Sequence, residues 1–309
     1  MSLNIPDDYQ QALREGWLPI REVSRITGVN PVTLRAWERR YGLIVPGRTG
    51  KGHRLYSAEH VARIQAILTW LNRGVAVSQV SQLLEGRAPA AQTEDGQWPA
   101  RIQQLLESIS KLSERHLDVH FNACSALYPP QTLYEQLLLP LQTQLAERWQ
   151  GQPFGSSIEQ VFWHGWLRSK LGLRVYQHNR QQQAAPLLLI SLSGLPLEPD
   201  IWLCAWLAAK ASACTERPLQ VFDWPIAPSE LGLALDSLQP AAVLIYSSQR
   251  LDSSWLRRDF PRLASSAGLP VLFGGPAASI HAQELDDIPG LHLFDSPADI
   301  AESLQQLKL

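Results

Sequence analysis

The sequence predicts a multidomain protein: short α-helices with a glycine-rich hairpin, then a helical bundle, then an α/β doubly wound domain. Three observations predict it. A chain of 309 residues exceeds what one typical core supports, so two or three domains are expected. Between residues 100 and 180, apolar residues recur at helical spacing. From residue 186 onward, apolar runs of strand length alternate with helical segments, the pattern of a parallel sheet covered on both faces.

Composition narrows the class. Hydrophobic residues make up 45% and charged residues 18%, which argues against disorder. The N-terminus, MSLNIPDDYQQ, lacks the basic-then-apolar pattern of a signal peptide. Apolar stretches such as Pro186–Leu192 are far too short to span a membrane, so a cytoplasmic protein is expected. Cys124, Cys204 and Cys214 form no CxxC or Cys/His cluster and read as buried thiols in a reducing compartment. The net charge of −2 conceals an asymmetry: residues 17–87 hold eleven Lys and Arg against four Asp and Glu. A +7 segment on an otherwise acidic chain is the electrostatic footprint of a nucleic-acid-binding module.

The elements follow in order. Residues 1–16 read as a polar leader. Short helices broken by glycines fill 17–87, the first domain. Residues 88–99, rich in Ala, Pro, Gln and Gly, read as a linker. In 100–180, Ile102, Leu105, Leu106 and Ile109 make one apolar face, and Leu133, Leu137, Leu138, Leu141 and Leu145 another. Pro129-Pro130 and Gln152-Pro153 break this region into a four-helix bundle. The last domain, 186–309, opens with PLLLISL, a run suited to a strand buried on both faces. Strands are expected near 219–222, 242–246 and 270–273, with helices near 201–212, 229–237, 254–267 and 297–307, giving a Rossmann-like or flavodoxin-like sheet.

Residues 18–56 carry the most specific pattern. A helix at Ile20–Ile26 leads into Thr27-Gly28-Val29, a tight turn. Asn30 can cap the next helix and Pro31 suits its first position. From that helix, Pro31–Tyr41, Leu34 points to the core, while Thr33, Arg35, Glu38, Arg39 and Arg40 can face a groove; arginine reads guanine edges or clamps phosphate. Trp37 suits either the core or a phosphate. Val45–Tyr56 holds three glycines and the cations Arg48, Lys51, His53 and Arg54, followed by Tyr56 and a Ser57 cap. A basic glycine-rich hairpin beside a recognition helix is a wing. The segment is thus an α winged helix-turn-helix, and double-stranded promoter DNA is the expected partner.

Thr33–Leu43, Pro46, Arg48-Thr49 and Gly52–Ser57 closely resemble the MerR family of transcriptional regulators, in particular its MlrA/BluR and CarH/LitR branch. The resemblance implies that Arg35 and its neighbours read the major groove, with His53, Arg54 and Tyr56 at the wing. It also implies a symmetric site bound by two or more protomers, hence a homo-oligomer. No sustained heptad run follows the DNA-binding segment, so association through the C-terminal region is expected.

The CarH/LitR part of that branch carries a cobalamin-binding module, and the order of bundle then sheet resembles it. Trp149 and Glu159 match the family's bundle motif, but its histidine position is Gln160. Leu272–Pro276, with Gly274 and Gly275, resembles the loop on which the cofactor's nucleotide tail lies. The family's lower cobalt ligand is a histidine after the first strand; here that loop, Ser193–Asp200, has none, nor does any position between His178 and His281. Phe162, Trp163, Trp166, Trp202 and Trp206 can pack ordinarily, line a pocket for another planar ligand, or fill the corrin's volume. The reading is a sequence-specific DNA-binding regulator whose C-terminal sensory or interaction module takes no cobalamin, no metal and no catalytic residue, its signal being a protein or small molecule. An adenosylcobalamin-dependent light-sensing repressor is the alternative, and a corrinoid enzyme subunit a distant one.

Overall fold

Local signals start and stop most helices where the chain needs them. The computed structural model describes residues 9–85, 97–151, 154–180, 182–195, 198–211, 217–224, 226–227, 230–286 and 288–307. After α1 (Tyr9–Arg14) and β1 (Leu18–Pro19), α2 (Ile20–Thr27) ends at Gly28, whose φ of 69° lies in the left-handed region that side chains disfavour. The Asn30 side chain accepts the Val32 amide at 2.7 Å, and Pro31 opens α3 (Pro31–Ala36). The helix continues as a wider π turn over Trp37–Tyr41. Strands β2 (Gly47–Arg48) and β3 (Arg54–Tyr56) form the hairpin, with Arg48 opposite Arg54, and β1 pairs with the other edge of β3. At the start of α4 (Ala58–Asn72), His60 Nδ1 accepts the Ser57 amide at 3.0 Å.

Beyond α5 (Val77–Leu84) come α6 (Gln97–Ser110), α7 (Glu114–Ser125) and a long helix made of α8 (Pro130–Leu133), a π turn and α9 (Leu139–Gly151). The two leucine-rich faces are buried: Ile102, Leu105, Leu106 and Ile109 on one side, Leu133, Leu137, Leu138, Leu141 and Leu145 on the other. Of the expected linker, residues 88–96 lie outside the described residues, and 97–99 already belong to α6. Gln152 and Pro153 also lie outside them.

The chain divides into two compact units, Met1–Glu159 and Gln160–Leu309. α6 to α9 fall in the same unit as the helix-turn-helix segment, and nearly all of α10 (Ser156–Asn179) belongs to the second unit. The side chains show why. Val175 enters the core of the sheet, and Asn179 brackets Leu219, donating to its carbonyl at 2.7 Å and accepting its amide at 2.8 Å. A polar composition marks a stretch with no core of its own, but it does not say which neighbours share one.

The second unit is a five-stranded parallel sheet in the order β5-β4-β6-β7-β8. Its strands are β4 (Leu187–Ser191), β5 (Leu219–Phe222), β6 (Ala242–Tyr246), β7 (Val271–Gly274) and β8 (Leu291–Phe294). The helices are α10 to α16, with α11 at Pro199–Ala211, α12 at Leu231–Leu238, α13 at Ser253–Ala267, α14 at Pro276–Ile280, α15 at Ala282–Leu285 and α16 at Ile300–Gln306. This is the doubly wound, flavodoxin-like order. Alternation along β4 sends Leu187 and Leu189 into a layer with Ala208 and Leu304, and Leu188 and Ile190 into a layer with Leu256 and Phe260. Edge strand β8 was not expected, because half-exposed Leu291 and exposed His292 and Leu293 interrupt any apolar run. Its last residue, Phe294, lies over Gly274, where an added Cβ would stand 2.1 Å from the ring. Gly274→Ala should therefore lower stability by about 1–3 kcal/mol, with Phe294→Leu in the same chain restoring part of the loss. Unchanged thermal unfolding of the single variant would contradict this packing.

Candidate nucleic-acid interface and sheet crevice

The helix-turn-helix segment sorts its side chains by helical phase. Leu34 and Trp37 are buried, with Tyr41 half-buried on the same side, while Arg35, Arg39 and Arg40 are exposed on the other. No ion pair engages Arg35, Arg39, Arg40 or Lys51 among the described residues. The wing tip turns at Thr49–Gly52 through a 2.7 Å backbone bond, and it exposes Lys51 and His53.

Glu38 joins helix and wing. Its carboxylate accepts Arg54 Nε at 2.6 Å and Arg48 Nη2 at 2.7 Å. Burial opposes its ionisation, but the hydrogen bonds from Arg54 and Arg48 outweigh that and hold its carboxyl below the usual value. Sequence reasoning placed Glu38 towards the groove and missed this bridging role; a single acidic residue amid the cations of helix and wing was the signal. Beneath the bridge lies Tyr56, whose phenol burial pushes up to about 12 and whose hydroxyl has no hydrogen-bond partner among the described residues.

Three expected DNA contacts need correction. Thr33, Trp37 and Tyr56 are buried and do not face solvent. Thr33 turns inward on α3, and Tyr56 lies on the core side of β3. Trp37 is fully buried, and its indole N–H donates to the Leu127 carbonyl at 2.9 Å. The spacing of Leu34, Trp37 and Tyr41 was the signal that could have placed it inside. Arg54 lies in the wing on β3, half-buried and bonded to Glu38.

In the second unit, the winding direction reverses between β4 and β6, the point at which doubly wound sheets form their ligand crevice. Here the loops bridge it. Ser193 and Ser248 hydroxyls donate to Glu198 Oε2 at 2.5 and 2.6 Å, the Ser248 amide donates to Ser193 Oγ at 2.9 Å, and the Gly194 amide donates to Gln249 Oε1 at 2.9 Å. Burial raises the Glu198 carboxyl above its ordinary value, against the hydrogen bonds from Ser193 and Ser248. Tyr246 donates its hydroxyl to Asp200 at 2.9 Å. His164, on α10 one turn beyond Gln160, was missed by sequence reasoning; burial lowers its imidazole, and the Asp200 charge opposes the shift.

The remaining pocket candidates find partners nearby. Trp149 and Arg148 both donate to Glu159, at 3.0 and 2.6 Å. Gln160 is half-buried at the start of the second unit, and Trp163 is buried and stacked on Trp166 with centroids 5.5 Å apart. Trp202 bonds Asp223 at 2.8 Å beneath the Arg168 guanidinium, which also bonds Asp223. Gly274 and Gly275 admit Phe294 and the Ser247 carbonyl of their own unit. Cys124 and Cys204 are buried free thiols, and Cys214 lies outside the described residues. No helix among the described residues is long and apolar enough to cross a membrane.

Comparison with known proteins gives these features a lineage. Residues 18–87 match the model of the MerR HTH family regulatory protein. Over 126 residues, 41% of this chain, the sequence is 38% identical to the HTH-type transcriptional regulator MlrA of Salmonella typhimurium and of Escherichia coli. The chain spans about half, 51%, of the length of those relatives. It is 25% identical over 299 residues to the HTH-type transcriptional repressor CarH of Myxococcus xanthus, covering 91% of this chain and 95% of that protein. Among solved structures, the monomethylamine corrinoid protein of Methanosarcina barkeri superposes with a TM-score of 0.50 at 11% identity, covering 68% of this chain and 99% of that one. Residues 18–87 are thus a MerR-type helix-turn-helix domain, continued in the same chain by helices and a doubly wound sheet of the fold seen in that corrinoid protein.

Proposed function

We propose that this protein is a sequence-specific transcriptional regulator that binds promoter DNA as two or more protomers and responds to a signal other than cobalamin. The observation that carries the reading is the exposure of Arg35, Arg39 and Arg40 on the outer face of the recognition helix, beside the wing tip with Lys51 and His53. Arg35 lies nearest the helix N-terminus and reaches base edges, while the wing cations follow phosphates. Glu38 keeps Arg48 and Arg54 in place, so the wing meets DNA already ordered.

The reading of the second unit rests on its donor set. The loop after β4 offers the position of a lower cobalt ligand a serine hydroxyl and a carboxylate bonded to each other, not an imidazole. A corrin held from below by the protein does not fit these residues. The second reading, an adenosylcobalamin-dependent light-sensing repressor, is favoured by the alignment along nearly the whole of CarH and by His164 on α10.

DNA recovered from a genomic fragment pool by the full chain identifies the target. Affinity for it should fall steeply with salt, because neutralising phosphates releases counterions. Arg35→Ala should cost about 1–3 kcal/mol on the recovered site and little on scrambled DNA, whereas Arg54→Ala, acting through the wing, should weaken both alike. Equal losses for Arg35→Ala on the two duplexes would make it a phosphate contact.

For the cofactor, the protein is incubated with adenosylcobalamin in darkness, separated from free cofactor, and its visible spectrum recorded. A colourless protein is the expected result, with DNA affinity equal in light and dark. A stoichiometric corrin band would overturn this half of the reading, and loss of that band in His164→Ala would name the ligand.

A further inference from the structure

We propose that the corner between α7 and α8, residues 124–132, positions the DNA-reading helix, with Trp37 as the positioning residue through which it acts; this rests on the DNA-binding reading above. Trp37 sits midway between Arg35 and Arg39 on one rigid helix, but on its opposite, buried side. Its only polar atom donates to the Leu127 carbonyl, 90 positions along the chain, at 2.9 Å. The same corner reaches a further helix of the helix-turn-helix segment: Thr132 Oγ1 donates to Asn72 Oδ1 at 2.8 Å at the end of α4. Arg101 stiffens the corner from behind: its guanidinium donates to Cys124 Sγ at 2.9 Å and lies 5.6 and 5.5 Å from the ring centroids of Trp98 and Tyr128.

A buried N–H cannot let go of its acceptor without a full desolvation penalty. Trp37 must therefore follow Leu127, and the recognition helix turns with it. Rotation about the helix axis moves Arg35 and Arg39 relative to base edges, and bidentate contacts to a base tolerate little displacement. Phosphate contacts tolerate more, because a point charge acts over several ångströms. The corner therefore governs discrimination between sequences more than total affinity.

The test uses the full chain with two probes: a duplex that it recovers from a random-sequence pool, and poly(dI-dC) as non-specific DNA. Trp37→Phe keeps an aromatic ring at the site, though a smaller one, and removes the N–H; Thr132→Val perturbs the corner where it meets α4. Each should lower the ratio of specific to non-specific affinity roughly five-fold or more, in the range of ordinary inter-site coupling. In protein labelled with 5-fluorotryptophan, the Trp37 fluorine resonance is the one missing from Trp37→Phe, and Thr132→Val should shift it. A lower melting temperature with an unchanged affinity ratio and an unmoved resonance would mean that the corner serves folding alone, and would overturn the proposal. Should Trp37→Phe fail to fold, the affinity ratio of Thr132→Val decides. Absence of any preference for the recovered duplex in the unsubstituted protein sinks the DNA reading, while the fluorine shift still decides the coupling.

Discussion

A buried indole has one hydrogen to place, and Trp37 places it on the carbonyl of Leu127. Leaving either group unpaired in the interior would cost about 1–3 kcal/mol. That requirement ties the middle of the recognition helix to a helix corner far away in sequence. The helix-turn-helix segment and α6 to α9 belong to one compact unit. Thr132 with Asn72, and Arg101 with Cys124 and the Tyr128 ring, add contacts around the same corner, so the helix-turn-helix segment is held from behind at two of its helices.

Electrostatics then divides labour among the cations. Eleven basic residues in 17–87 suggest a uniformly positive surface, but several are engaged within the fold. Arg48 and Arg54 bond Glu38, Arg25 bonds Glu22, and Arg63 donates to the Leu43 carbonyl. These orient strands and helix ends. Arg35, Arg39, Arg40 and Lys51 remain exposed and outside the ion pairs of the described residues, and they cluster on the helix face and wing tip. A polyanion is the partner that such a distribution suits.

In the second unit, the same logic of satisfaction operates at the point where the strand order reverses. Strand-order reversal sends the loops after β4 and β6 to opposite faces. In this chain the serines of the two loops converge on Glu198. The two glycines after β7 make room for Phe294 and for the Ser247 carbonyl.

The order of elements was legible in the sequence because it is written locally: Asn30-Pro31 starts a helix, Gly28 ends one, and PLLLISL is buried whichever way it faces. Four of the five strands and the apolar faces of α6 and of the α8–α9 helix follow from the local pattern of apolar residues. The exposed Arg35, Arg39, Lys51 and His53 were equally legible, since helical phase and hairpin tips determine exposure. The roles of Trp37, Tyr56 and Glu38 were not, nor was α10's membership in the sheet unit. Each depends on a partner brought from elsewhere: Leu127 for Trp37, the wing for Glu38, β5 for Asn179. A sequence specifies which surfaces must leave water, but only the tertiary structure decides which surface meets which, because burial energy is non-directional and hydrogen-bond pairing is not.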